Sequence, residues 1–333
     1  LPYAAETKHC LITGSVGSGK TVCLSELMAQ VRKQNHKAIV YDKMGTHTAR
    51  FYRPGKDILL NPFDSRSPLW LLANEIKMDS DYKSIAASLI PEDGKNSQDP
   101  FWNMAARELL AAAAKYLHQE GLCQNTELLD YVLGADLERI KLLLENTVVG
   151  SLVSEHSEKT TTSIKSILTA YISSLEYLPT EGEPFSIRDW VSNEEDDSWL
   201  FITSRADMHQ AVKPLISTWL DIATNAVLSL PRSKDRRIFE FLDELPTLQT
   251  LPSLPTAIEP PVIEKVAPTR ESIVFVITGK EIPLSILKNT AQDIEDDLLS
   301  DPNYSFMIVS YKLEKASKSA YKNKINALHK GAE

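Results

Sequence analysis

Two runs of residues in this chain have the types and spacing for phosphate chemistry. The first is Gly14-Ser15-Val16-Gly17-Ser18-Gly19-Lys20-Thr21, a G-x-x-x-x-G-K-T pattern. Glycines at these positions let backbone N–H groups turn inward onto anionic oxygens, and a helix opening behind them adds the positive end of its dipole. In such a loop Lys20 reaches the β- and γ-phosphates of bound ATP or GTP, and the Thr21 hydroxyl ligates Mg²⁺. The second run is Asp243-Glu244, which closes the apolar stretch Arg237–Asp243. A carboxylate pair there divides the work: Asp243 holds Mg²⁺, directly or through water, and Glu244 polarises an attacking water as general base. Alone, Asp243-Glu244 reads equally well as an acidic turn; with a phosphate loop upstream the functional reading is preferred.

Other residues carry weaker signals. Asp42 closes an apolar stretch, where it either faces a ligand at the end of a parallel sheet or sits in a solvated turn. Arg205 follows a strand-like segment and either reaches a neighbouring subunit's phosphates or forms a surface salt bridge. Trp102 is either core or a contact residue. Glu240 lies two residues inside the Arg237–Asp243 stretch, where a buried carboxylate is costly unless paired, so either it points to an edge or the sequence is drifting.

These residues need a sheet and helices to hold them. His9–Thr13 reads as a strand, Thr21 to about Lys33 as a helix, and Lys37–Asp42 as a strand apolar on both faces, which belongs in a buried parallel sheet. Asp57–Asp64 predicts a third short strand ending at Pro62. From about Asn74 to Leu178 the chain is helix-rich, and Trp102, Ala105, Ala106, Leu109, Ala113 and Leu117 mark one packed helix face. Trp199–Thr203 and Arg237–Asp243 predict further strands, with an apolar helix over Pro214–Leu230 between them. Six prolines between Pro246 and Pro268 predict a linker. Beyond it come strand Ser272–Thr278, helix Pro283–Leu299 and strand Ser305–Tyr311, expected as a β-α-β unit away from the nucleotide site. Residues 312–333 hold six lysines against two glutamates and read as a frayed helical tail.

The bulk numbers are those of a soluble globular protein of about two domains: 333 residues, 43% hydrophobic and 24% charged. A net charge of −9 argues against a simple basic nucleic-acid binder, though not against DNA held in a local channel. Cys10, Cys23 and Cys123 are odd in number and widely spaced, so a disulfide framework or zinc site is not expected and a reducing cytoplasm is. The sequence has no run of about 18 apolar residues. It starts at Leu1 rather than Met, so a preceding portion is expected.

With these motifs placed, the chain resembles the type IV secretion coupling proteins of the TraD/TrwB kind. The resemblance rests on Glu6-Thr7-Lys8-His9, Gly14–Thr21, Val40-Tyr41-Asp42-Lys43, Leu60-Asn61-Pro62-Phe63-Asp64, Trp199–Thr203 and Phe241-Leu242-Asp243-Glu244-Leu245, and covers about residues 1–256. It implies an α/β, RecA-like P-loop NTPase with an inserted all-α domain, using ATP and Mg²⁺ and moving DNA. It implies single-stranded DNA, a relaxase and secretion-channel proteins as partners, a hexameric ring, and a place on the cytoplasmic face of the bacterial inner membrane. Trp102 then falls where the insert carries a channel-facing tryptophan. The implied organisation is a first RecA-like part over 1–74, the insert over 75–180, a second RecA-like part over 181–257, a β-α-β fragment over 258–311 and the lysine-rich tail over 312–333.

The family's membrane anchor is not in this sequence, and after Leu254 its pattern stops, before the Gly-Arg step that serves as arginine finger and the strand ending in a γ-phosphate-sensing Gln. Residues of about 258–311, beginning Glu259-Pro260-Pro261-Val262, instead resemble a porter-domain fragment of resistance–nodulation–division efflux pumps. The expectation is a truncated coupling ATPase that binds ATP, hydrolyses it poorly and does not readily form a ring. The rival readings are a non-catalytic nucleotide- or partner-binding module and an unstable product of a degraded fused gene.

Overall fold

Strands apolar on both faces demand cover on both sides, and that demand organises the molecule. The structure is a computed structural model that describes residues 10–14, 19–92, 100–145, 147, 158–231, 233, 236–258, 273–279 and 307–311. Its main sheet contains β1 (Cys10–Gly14), β2 (Lys37–Asp42), β3 (Ile58–Leu60), β6 (Trp199–Thr203), β7 (Ile238–Leu242), β8 (Ile273–Gly279) and β9 (Met307–Tyr311). They run in the order β3-β6-β2-β7-β8-β1-β9, every pairing parallel.

Alternate residues of the central strands feed two cores. Ala38, Val40, Trp199, Phe201, Phe239 and Phe241 pack with Leu24, Met28 and Val31 of helix α1 (Lys20–Lys33). Ile39, Tyr41, Leu200, Ile202, Ile238 and Leu242 face the other side, toward the long helix His209–Leu228 and the helical block. A buried ion pair ties α1 to the sheet. Both guanidinium ends of Arg32 donate to Asp57, at 3.0 and 2.6 Å, and Asp57 also accepts from the first N–H of β6 at 2.9 Å.

The chain leaves the sheet through β4 (Leu69–Trp70) and returns through β5 (Pro184–Phe185), which pair with each other in parallel. Between them, among the described residues, stand α-helices Ser80–Leu89, Pro100–Gln119, Asn125–Leu133, Leu137–Leu144 and Glu158–Ile172, with short 3₁₀ turns at Leu72–Glu75 and Ser173–Tyr177. Ala105, Ala106, Leu109, Ala113 and Leu117 are buried, while Trp102 is half-buried against the same core.

Several expectations are corrected. Strand 272–278 is not in a separate unit: β8 pairs with both β7 and β1, and β9 pairs with β1, so both belong to the main sheet. Prolines before a strand do not prevent that strand from joining the same sheet. The expected linker is also partly ordered. Leu248, Leu251, Ser253 and Ala257 are buried, and Pro255 sits in the first turn of helix Leu254–Ile258, where its missing N–H costs nothing. The helix expected from Pro214 starts at His209 and keeps Pro214 inside it, held by burial of Val212, Leu215, Ile216 and Trp219. Glu240 is not at an edge: it pairs between Ile39 and Phe275 and is fully buried. Helix 283–299 and the tail 312–333 lie outside the described residues. Among the described residues no helix is long and apolar enough to cross a membrane.

Candidate nucleotide site

Parallel strands bring all their C-terminal ends to one edge, and both Gly14 and Asp243 lie along it. β1 ends at Gly14, and α1 begins at Lys20 directly after Gly19. Gly19 has φ 92°, ψ 11°, a left-handed conformation that suits glycine and turns the chain from loop into helix. Cys23 N–H donates to Gly19 O at 2.9 Å, closing the first helical turn. Lys20 is half-buried and Thr21 exposed in that turn. Ser15, Val16, Gly17 and Ser18 lie outside the described residues.

The carboxylate pair follows β7, two strand positions from β1 with β8 between them. At about 4.8 Å per strand step, roughly 10 Å separates the two strand ends, a span suited to a phosphate chain and its cation. Asp243 N–H donates to Tyr41 O at 3.0 Å, extending the ladder one residue beyond β7. Glu244 then turns left-handed, φ 60° and ψ 43°, strained for a residue with a side chain. The turn is held from several sides. Thr247 N–H and Oγ1 donate to Glu244 O at 2.9 and 2.8 Å, so Tyr41 OH is the donor in its 2.7 Å bond to Thr247 Oγ1. Burial pushes the Tyr41 phenol pKa up, which keeps it a donor. His209 Nε2 donates to Thr247 O at 3.1 Å, since a carbonyl only accepts, and Nδ1 accepts from Ser204 Oγ at 2.9 Å. Burial also lowers the His209 pKa and favours this neutral ring.

Asp42, at the end of β2 beside β7, is fully buried rather than in a solvated turn. Its Oδ2 accepts from Thr48 N–H at 2.7 Å and Thr48 Oγ1 at 2.9 Å, pinning the short helix α2 (Thr46–Phe51). Its Oδ1 is buried with no hydrogen-bond partner among the described residues. That helix supplies a residue the sequence reading missed. His47 is fully buried, and its Nε2 lies 3.6 Å from Asp243 Oδ2. No local pattern flags it, because α2 spans six residues and shows no usable periodicity.

The donor set fits a magnesium-bound nucleotide. Among the described residues no group of three His, Cys, Asp or Glu side chains forms a metal cage. What the edge offers is a carboxylate, Asp243, and a hydroxyl, Thr21, both hard oxygens. Mg²⁺ suits such a site because it takes one or two protein oxygens and completes its shell with phosphate and water. The orphaned Asp42 Oδ1 and His47 Nε2 add polar capacity at the same strand ends.

Two residues stand apart from this constellation. Arg205 pairs with Asp207 at 2.6 Å on the surface, the salt-bridge alternative. Trp102 packs edge-on against Phe101, ring centroids 4.9 Å apart.

A parallel sheet whose first strand runs into a glycine-opened helix, with a carboxylate pair ending a strand two positions away, defines a RecA-like P-loop NTPase fold. The chain belongs to the type IV secretion-system coupling proteins: the family's DNA-binding domain matches residues 1–260. It is similar to the coupling protein TraD of Escherichia coli (strain K12), 36% identical over 256 residues, which are 75% of this chain and 35% of TraD. The chain thus spans about a third of that relative's length. Among solved structures it is similar to the conjugative coupling protein TrwB lacking its N-terminal residues, in a trigonal form with sulphate. That likeness has TM-score 0.79 and 30% identity and covers 97% of this chain and 75% of the TrwB chain. TrwB in complex with ADP and Mg²⁺ is similar at TM-score 0.73 and 32% identity, over 92% of this chain and 71% of that one.

Proposed function

We propose that this chain is the nucleotide-binding part of a DNA-transfer coupling ATPase, loaded with ATP and Mg²⁺ and slow to hydrolyse ATP by itself. The observation that carries this is the helix opening at Gly19-Lys20 on the same sheet edge as Asp243-Glu244. Gly14–Thr21 cradles the phosphates, Lys20 pairs with the β- and γ-oxygens, and Thr21 and Asp243 hold the cation. Glu244 is the base. When bound, Mg²⁺ neutralises phosphate charge; the chain's own part is to fix the phosphates and aim the water.

The complexes of TrwB with ADP and Mg²⁺ and with a non-hydrolysable ATP analogue support the same ligands here. By family, the larger partners are single-stranded DNA, a relaxase and the secretion channel, met at the cytoplasmic face of the inner membrane, and Trp102 faces the DNA path. A hexamer is the family's assembly. Residues 258–311 resemble an efflux-porter fragment in sequence, but we read β8 and β9 as strands serving the nucleotide sheet.

The test is calorimetric titration of ATP with Mg²⁺ into wild type and Lys20→Ala. Wild type is expected to bind in the micromolar to millimolar range. The variant loses a charge-assisted contact worth about 1.5–3 kcal/mol, roughly ten- to a hundredfold in affinity. Equal binding by both proteins would refute the assignment.

A further inference from the structure

We infer that His47 is a positioning residue for the cation-binding carboxylate Asp243, an inference that rests on the nucleotide reading above. The imidazole sits where three parts of the site converge. Its backbone belongs to α2, whose first turn Asp42 clamps through Thr48. Its Nδ1 lies 3.3 Å from the buried Ser25 Oγ on α1. Ser25 is four residues after Thr21, one helical turn along the same face of α1. Its Nε2 lies 3.6 Å from Asp243 Oδ2.

A fully buried ring nitrogen normally has a partner, yet Nε2 makes no hydrogen bond among the described residues. At 3.6 Å the approach to Asp243 is too long to be one. Site hydrogen bonds that are long in the free protein tighten when the ligand arrives. Nε2 faces a carboxylate, which only accepts, so the tautomer that serves Asp243 has its proton on Nε2 and Nδ1 accepting from the Ser25 hydroxyl. Closing that gap fixes Oδ2 and turns Oδ1 to the cation. His47 thereby links the phosphate-loop helix to the carboxylate, so that Thr21 and Asp243 keep one spacing. Partners of this kind, one step removed from a metal, govern its affinity by about 10–100-fold when lost.

The test uses the whole chain with ADP and measures Mn²⁺ binding to the ADP complex by electron paramagnetic resonance. ADP affinity in EDTA is measured in parallel by calorimetry. His47→Phe keeps the ring volume and removes the donor. It is expected to weaken Mn²⁺ binding at least tenfold and leave ADP affinity in EDTA unchanged. His47→Gln, whose amide N–H reaches the Nε2 position, is expected to recover most of the loss, which a purely packing role would not produce. Wild-type Mn²⁺ affinity in a folded His47→Phe protein overturns the inference. If that variant does not fold, Ser25→Ala decides: severalfold weaker Mn²⁺ binding supports the positioning role, and no change overturns it. Failure of wild type to bind ADP at all is a separate outcome that overturns the nucleotide reading itself.

Discussion

Glu240 shows how a single residue can set the pH response of the central strand. Its side chain is fully buried, Oε1 has no partner among the described residues, and Oε2 lies 2.9 Å from Thr224 Oγ1. That hydroxyl already donates to Leu220 O at 3.0 Å. Its one proton is shared between Leu220 O and Glu240 Oε2, so it compensates the buried carboxylate only in part. Burial, reinforced by Asp221 and opposed by the Thr224 hydrogen bond, pushes the Glu240 pKa from 4.5 up to about 8. Below 4.5 the group is protonated in folded and unfolded chains alike. Between 4.5 and about 8 only the folded chain keeps the proton, so stability falls as pH rises, by up to about 1.4 kcal/mol per unit. Glu240→Gln is neutral throughout. Denaturant unfolding at pH 5, 6, 7 and 8 is therefore expected to show the variant gaining on wild type at each step. A stability difference that stays constant over that range would show Glu240 ionised in the fold.

At the scale of elements, the neck of the helical insert is the place where burial and polarity are most tightly balanced. Glu75, on the outgoing segment, accepts from Trp70 Nε1 at 2.8 Å and Ile187 N–H at 2.6 Å through one oxygen. The other oxygen accepts from Ser186 Oγ at 3.2 Å and Arg188 N–H at 3.1 Å. It thus caps helix Ile187–Ser192 on the returning segment, beside the β4–β5 pair. Burial raises its pKa against the pull of these four donors. Glu75→Ala strands several buried donors at once and is expected to cost about 3–5 kcal/mol, read by thermal or denaturant unfolding. A loss under about 1 kcal/mol would mean that the neck is held by apolar packing alone.

Which elements were legible from sequence follows from how local their causes are. Gly14–Thr21 and Asp243-Glu244 stand out because phosphate chemistry prescribes residue types at fixed spacing. Lys37–Asp42 and Trp199–Thr203 stand out because their strands are apolar on both faces. The place of β8 was not legible. Strand partnership is decided across hundreds of residues, and the prolines before β8 suggested separation where β8 in fact pairs with β7 and β1. His47 was invisible for the same reason: its meaning lies in contacts with Ser25 and Asp243, 22 and 196 positions away. Glu240 looked like an edge residue because sequence shows the cost of burying a carboxylate but not the Thr224 hydroxyl that lowers it.

For the whole molecule, the last question is turnover. Phosphoryl transfer depends on positioning and on charge that stabilises the transition state. In the proposed reading Lys20, Thr21, Asp243 and Glu244 supply the ground-state clamp and a base. A further contribution in such enzymes is a cation on the transferring phosphoryl group, worth about 10³–10⁵ in rate. Between Glu244 and Glu333 the sequence holds one arginine, Arg270, outside the described residues and in no Gly-Arg step. The seven-stranded sheet removes one argument for impairment, since β8 and β9 fill the positions beside β1. The scarcity of arginine after Glu244 still points to slow turnover. The purified chain is therefore expected to bind ATP yet hydrolyse it far below about 1 s⁻¹, with or without single-stranded DNA. Steady-state phosphate release decides it, with Glu244→Gln as the blank for contaminating activity. A DNA-stimulated rate at or above about 1 s⁻¹, lost in Glu244→Gln, would mean that the chain supplies the transition-state cation itself, and Arg205, released from Asp207, would be the first residue to substitute.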